Sequence, residues 1–248
     1  MKTILITGCS SGFGLATAQY FLDRDWQVIA SMRSPREDLL PRSERLRVIA
    51  LDVTDSESIR NAVDAAGPID VLVNNAGIGL LSVFEGTSME TVREVFNTNT
   101  FGTMAVTQAV LPRFRQQKAG VIVNVTSAVT LSPLPLLSVY TASKAAITAF
   151  TECLAIELQQ FNVRVRLVIP GRAPETRFAE SAQSRRIQFG PEAYAEFAKS
   201  VFARMGQASS AVTHAIDVAE SVWRAANDPS CPARMAAGAD AVALAESL

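Results

Sequence analysis

The chain has 248 residues, with 23 Lys plus Arg against 24 Asp plus Glu, and a formal charge of -1 gives no basic field for a phosphate backbone, which excludes nucleic acid as a partner. At 48% hydrophobic and 19% charged residues it buries a full core and lies far from disordered compositions. Apolar runs are broken well short of the ~18 residues needed to span a bilayer, so no membrane segment is expected. The run Met1-Lys2-Thr3-Ile4-Leu5-Ile6-Thr7-Gly8 enters a strand at once, leaving no room for a signal peptide, and a cytoplasmic location is the expectation. Cys9, Cys153 and Cys231 are scattered and accompanied by one histidine, His214, so they form neither a disulfide framework nor a metal site.

Short β-branched runs alternate with helical stretches along the whole chain. Strands are expected at Thr3 to Ile6, Gln27 to Ser31, Arg47 to Ala50, Val71 to Asn74, Val121 to Asn124 and Val163 to Ile169, with a seventh near Met235. Helices are expected at about Phe13 to Arg24, Ser56 to Ala66, Met89 to Arg115, Tyr140 to Gln160 and Val212 to Asn227. Two of these open on capping boxes, Thr54 with Glu57 and Thr87 with Glu90. The alternation predicts an α/β chain, a parallel sheet with helices on both faces. One domain over residues 1–248 is expected, with an aromatic-rich substrate lid at about 172–210.

Right after the first strand comes Thr7-Gly8-Cys9-Ser10-Ser11-Gly12-Phe13-Gly14. Its glycines permit a tight turn and close approach by a pyrophosphate, which then lies on the positive end of a helix, with Ser10 and Ser11 as further donors. Strand two ends in Met32-Arg33, where a dinucleotide site that binds the unphosphorylated ribose has a carboxylate. A guanidinium there suits a 2′-phosphate, which favours NADP(H) over NAD(H); the alternative is that Arg33 is solvated like its neighbours Arg36 and Arg42. At the ends of strands three and four, Asp52-Val53 and Asn75-Ala76-Gly77 either contact the adenosine and ribose or serve only as Asx-type turns.

Beyond strand five stands Ser127, and Tyr140 and Lys144 lie four residues apart on one helix face. A phenol with an unperturbed pKa of about 10 needs a neighbouring positive charge to exchange protons near neutrality, and the lysine supplies it. Ser127 can hold a substrate carbonyl and its developing negative charge. Taken together, the glycine turn, Asn74 to Gly77, Asn99, Ser127, Tyr140 with Lys144, and Pro170-Gly171 resemble the classical short-chain dehydrogenase/reductase family over nearly the whole chain, most specifically from Lys2 to Gly171.

That resemblance implies a metal-free oxidoreductase on a single α/β domain, a Rossmann-like doubly wound parallel sheet of about seven strands with helices on both faces. Asn99, Ser127, Tyr140 and Lys144 correspond to the catalytic four: Tyr as proton donor or acceptor, Ser orienting the carbonyl, Lys on the nicotinamide ribose and lowering the Tyr pKa, and Asn holding a relay water, with Asn97 as its rival. Cofactor contacts are implied at Gly8, Ser10, Ser11, Gly12, Phe13, Gly14, Arg33, Asp52, Val53, Asn75, Ala76, Gly77, Tyr140, Lys144, Pro170, Gly171 and Ala173. The family's P-G-x-[VI]-x-T run departs here to Pro170-Gly171-Arg172-Ala173-Pro174-Glu175-Thr176, with Thr176 one place late. Trp26, where the family often has glycine, reads as a packing residue.

Substrate contacts are expected from Ser127, Val129, Leu134, Leu137, Tyr140 and Phe178, with Leu131, Leu136 and Phe189 near them; this apolar set suits a hydrophobic ketone or aldehyde. Arg172, Arg177, Arg185 and Arg186 offer instead a grip on an anion. The reading is an NADPH-dependent carbonyl reductase, a ketoreductase working reversibly on a small molecule. An NAD-linked alcohol dehydrogenase and a non-catalytic dinucleotide sensor are the alternatives. The resemblance also implies a homo-oligomer, tetramer or dimer, since long helices such as Met89 to Arg115 and Tyr140 to Gln160 pair across subunits in that family.

Overall fold

Seven apolar segments form seven parallel strands in the computed structural model of the chain, which describes residues 1–176, 191–206 and 211–248. They are β1 (Thr3–Ile6), β2 (Gln27–Met32), β3 (Leu46–Ala50), β4 (Val71–Asn74), β5 (Gly120–Val125), β6 (Val163–Pro170) and β7 (Arg234–Ala237). Their order in the sheet is β3-β2-β1-β4-β5-β6-β7. The chain therefore winds outward one way from β1 and then restarts the other way at β4. The expected Rossmann-like doubly wound sheet is the one observed, and its crevice lies where β1 and β4 run side by side with Leu5 opposite Leu72.

Alternate side chains of each strand serve opposite faces. Ile4 and Ile6 join Val28, Ala30 and Met32 under α1 (Gly12–Leu22) and, numbering only the helices described, α7 (Ala215–Asn227). Leu5, Ile29, Leu72 and Ile122 meet α2 (Ser56–Ala66), α4 (Thr103–Gln117) and α5 (Ser138–Leu158) on the other face. Period-2 alternation with both faces apolar is why these strands read as continuous hydrophobic runs. Trp26 is the packing residue it was taken for, its ring 5.0 Å from Phe21 and 5.8 Å from Trp223 in edge-on contacts.

Several expectations about local structure need correction. The capping residues are one place later than the S/T-x-x-E pattern implied: Asp55 accepts from Glu57 N on α2, and Ser88 accepts from Thr91 N on α3 (Met89–Phe96). A short carboxylate or hydroxyl at the last extended residue wins over a threonine one step earlier. The stretch read as one helix from Met89 to Arg115 is α3 and α4 joined by a π turn, Asn97–Gly102. Gly102 lets it lie against Val53, where an added Cβ would be 2.8 Å from Val53 Cγ2. Within residues 172–210 the described part includes α6 (Ala195–Gly206), and α8 (Ala239–Glu246) follows β7. Phe178, Phe189, Arg177, Arg185 and Arg186 lie outside the described residues.

Arginines close the carboxyl ends of two helices. Arg113 donates to Val63 O and Gly67 O and Arg47 to Ala65 O and Ala66 O at the end of α2, while Arg164 donates to Ala225 O, Ala226 O and Asp228 O at the end of α7. Each guanidinium supplies donors to carbonyls that a helix end leaves unpaired. No helix among the described residues is long and apolar enough to cross a membrane.

Candidate active site

At the carboxyl ends of β1 to β4 runs a cleft of about 980 Å³. The turn between β1 and α1 forms its floor, and only glycine fits there. Gly8 and Gly12 have φ of +75° and +56°, and a Cβ on Gly14 would stand 2.4 Å from Gly8 O and 2.5 Å from Asn75 Nδ2. Thr7 fixes the turn to the next loop, its Oγ1 accepting from Asn75 N and Ala76 N at 3.0 Å each. Helix α1 opens on the cleft with no acidic residue in its first turn and no side-chain bond from its N-cap, Ser11. Its first amides and its dipole are thus directed at whatever anion the cleft admits.

Eleven of the residues expected to hold a dinucleotide line this cleft: Gly8, Ser10, Ser11, Gly12, Phe13, Arg33, Asp52, Val53, Asn75, Ala76 and Gly77. Arg33 is exposed at its edge. Asp52 Oδ1 accepts from Thr54 N at 2.9 Å and Thr54 Oγ1 at 2.7 Å, and these bonds, with the Arg33 charge behind them, hold its carboxyl below the usual range. Gly14, Tyr140, Lys144, Pro170, Gly171 and Ala173 do not line it, although Lys144 approaches it through Gly77, where an added Cβ would lie 3.4 Å from Nζ. Shape, glycine floor, helix terminus and a cationic edge together fit a dinucleotide with its phosphates on α1.

Sequence reasoning passed over Met32, Leu51, Thr54, Ile78, Glu90, Arg93, Glu94 and Thr98 as cleft residues. Those on α3 and the π turn carry no motif; only the fold brings them there. Thr176, one place late against the family pattern, is buried and lines the cleft beside Gly12, where an added Cβ would be 3.4 Å from its own Cβ.

Across the carboxyl end of β5 stand the other expected residues. Ser127 follows β5, Tyr140 is buried in the first turn of α5, and Lys144 is buried one turn on. Tyr140 hydrogen-bonds to Ser127. Burial pushes its phenol well above the ordinary range, and the opposing pull comes from that serine bond and not, as expected, from Lys144. Lys144 Nζ donates to Val125 O at 3.0 Å, and burial lowers its ammonium to about 8. The π turn aims Asn99 inward: its Oδ1 accepts from Ile78 N at 2.8 Å, and its Nδ2 donates to Ile78 O at 2.9 Å and Ser143 Oγ at 3.1 Å. Asn97, its rival, is exposed and lines the cleft.

Of the expected substrate residues, Val129 is buried, Leu137 is half-buried at the N-cap of α5, and Leu134 is 48% exposed. Leu136 has φ +65°, a strained value for a bulky residue, and its carbonyl accepts from Ser82 N at 2.8 Å. That bond ties the segment leading from Ser127 to Tyr140 to Ser82. No group of three or more His, Cys, Asp or Glu among the described residues is arranged to hold a metal ion.

The arrangement has relatives. The 3-ketodihydrosphingosine reductase of Bacteroides thetaiotaomicron is 39% identical over 174 residues, a stretch covering 68% of this chain and 63% of that protein's length. A crystal structure of a short-chain dehydrogenase from Streptomyces avermitilis superposes with a TM-score of 0.83 at 32% identity, covering 99% of this chain and 91% of that one. The closed form of a serine dehydrogenase complexed with NADP+ superposes with a TM-score of 0.79 at 26% identity, covering 96% and 95%. Residues 2–186 match the sequence profile of the short chain dehydrogenases, and the chain belongs to that family of oxidoreductases.

Proposed function

We propose that the protein is an NADPH-dependent carbonyl reductase, a ketoreductase that reduces a hydrophobic ketone or aldehyde and runs reversibly as an alcohol dehydrogenase. The observation that carries this is the neutral, buried Tyr140 hydrogen-bonded to Ser127, one helical turn from a buried Lys144 that reaches Gly77 in the cleft. Held in the cleft, a nicotinamide dinucleotide would supply hydride chemistry.

This chain's residues do the rest. Ser127 orients the carbonyl oxygen and donates to the charge that develops there. Tyr140, kept protonated by burial, gives its proton to that oxygen. Lys144 holds the nicotinamide ribose and, as an ammonium, stabilises the phenolate left on Tyr140. Asn99 fixes Ile78 and the loop after β4, and through it the path by which the proton is replaced. Pro170, Gly171 and Ala173 are proposed at the nicotinamide end, and Val129, Leu134, Leu137 and Phe178 on the substrate side.

Arg33 is proposed to grip a 2′-phosphate, which makes NADP(H) the cofactor. Support comes from its place at the cleft edge, without a carboxylate on β2, and from the NADP+ held by the serine dehydrogenase neighbour. A hydrophobic substrate is supported by the apolar segment after Ser127 and by the name of the lipid-ketone reductase that this chain resembles. Residues 1–248 are read as one domain with the substrate lid at about 172–210, acting in the cytoplasm. Assembly into a homo-oligomer, tetramer or dimer, is supported by Phe101 at 57% and Ile156 at 71% exposure on the π turn and α5, where Ala145 and Ala149 also face outward.

The test is oxidation of NADPH and NADH, side by side, over ketones from small aliphatic to aryl and steroid-like. Turnover of bulky ketones with NADPH is expected, and Arg33→Ala should cost at least ten-fold in KM for NADPH while leaving NADH unchanged. An NADPH preference that survives Arg33→Ala overturns the phosphate site, and binding of NADPH without any turnover favours a dinucleotide sensor.

A further inference from the structure

Three segments distant in sequence meet behind the loop that follows β6. In the first turn of α8, Asp240 Oδ2 accepts from Arg172 N at 2.6 Å. Its other oxygen, Oδ1, accepts from Thr213 Oγ1 at 2.7 Å. Thr213, 2% exposed, accepts in turn from Gly171 N at 2.8 Å, and its own amide donates to Arg172 O at 2.8 Å. The contact leaves no spare room. A Cβ on Gly171 would lie 2.2 Å from Asp240 Oδ2, and one on Gly238, at φ +93°, would lie 2.1 Å from Thr213 Oγ1.

The tie has a direction. Four residues beyond Arg172, Thr176 is buried beside Gly12 in the large cleft, with its amide and Oγ1 both donating to Ala173 O at 3.2 and 2.9 Å. The backbone between Gly171 and Thr176 is thus held at one end by a carboxylate and lies at the other against the glycine turn. Arg33 follows β2 and Gly171 follows β6, and those strands stand four places apart in the sheet, about 19 Å at ~4.8 Å per strand. The carboxylate therefore acts at the end of the dinucleotide site remote from Arg33.

We infer that Asp240, through Thr213, is a positioning residue for the dinucleotide site, holding the Gly171–Thr176 loop where it completes the nicotinamide end of the cleft. The inference rests on the dinucleotide reading of that cleft. Asp240 touches neither cofactor nor substrate; it acts through two backbone amides and one hydroxyl. An Asn at 240 keeps an acceptor for Arg172 N and offers a donor to Thr213 Oγ1, whose hydrogen then serves Ala237 O, 2.9 Å away. The conservative variant should therefore keep the tie, and Ala should lose it.

The experiment measures NADPH and adenosine 2′,5′-bisphosphate affinity by fluorescence titration, together with amide hydrogen exchange over residues 171–176, on the full chain and on Asp240→Ala, Asp240→Asn and Thr213→Val. Expected for Asp240→Ala are exchange at least ten-fold faster in that loop, a five- to twenty-fold weaker Kd for NADPH, and an unchanged Kd for adenosine 2′,5′-bisphosphate, which occupies only the arginine end. Asp240→Asn should stay within two-fold of the unaltered chain on all three readouts. Thr213→Val should follow Asp240→Ala, and it stands in if that variant does not fold. Unchanged exchange or unchanged NADPH affinity overturns the inference, as does an equal loss for both ligands, which marks a general collapse. If the unaltered chain binds neither NADPH nor NADH, the dinucleotide reading falls and this role falls with it, an outcome separate from a failure of the variants alone.

Discussion

Lys144 shows how far surroundings can move a residue's chemistry. Burial lowers its ammonium from the ordinary lysine value of 10.5 to about 8, so the folded chain gives up this proton before the unfolded chain does. Between about pH 8 and 10.5 the unfolded state binds more protons, and folding stability rises with pH through that window on account of this group. The ammonium that the proposed reduction requires is lost over the same window. Turnover is expected to fall above about pH 8 while stability, from urea unfolding, climbs, and Lys144→Met should flatten the climb. Parallel movement of the two quantities would contradict this. At Gly14 the constraint is steric: a Cβ would lie 2.4 Å from Gly8 O, so Gly14→Ala should weaken NADPH binding at least ten-fold in a titration. Cys9 faces the opposite way from a reactive thiol, since burial pushes it up to about 12.

At the scale of elements, hydrophobic period gave the strands nearly to the residue, because strands buried on both faces leave a run that little else mimics. Helix boundaries were less legible. The α3–α4 stretch is helical in pattern throughout, and at the π turn that breaks it Gly102 lies against Val53, a contact across the fold that local sequence does not record. The capping errors have a local cause, since Asp55 and Ser88 compete with the threonine beside them and the extended residue nearest the helix wins. Arg164 tests how much the helix ends matter. It ties β6 to the last carbonyls of α7, and Arg164→Ala should cost about 1–2 kcal/mol, read from the urea midpoint, through bonds from a charged donor. A change below about 0.5 kcal/mol, the level of an ordinary surface substitution, would show that water replaces it.

For the whole molecule, the site was legible where a motif is local and illegible where the fold gathers it. The glycine turn and the Tyr140–Lys144 spacing stand out in the sequence, and both lie where expected, the turn at the end of β1 and the pair in the opening turns of α5. Glu90 and Arg93 of α3 and Thr98 of the π turn join the cleft without any ligand-binding signature, and Asp240 reaches the Gly171 loop from 68 residues away. Burial also sets thiol reactivity across the molecule. Cys9 and Cys231 are buried and Cys153 is exposed, so a disulfide reagent should label Cys153 within minutes in the native chain and all three only after denaturation. Rapid native labelling of Cys9 would contradict the packing of the glycine turn.

If Tyr140 gives the proton in an NADPH-driven reduction, as proposed, its phenol is what turnover cannot spare. The most direct measurement is the rate of reduction of a bulky ketone by Tyr140→Phe, with its Kd for NADPH determined on the same preparation. A fall in kcat of at least about 100-fold is expected, the range general acid catalysis supplies, with NADPH affinity within two-fold of the unaltered chain. Turnover that survives the loss of the phenol would contradict it.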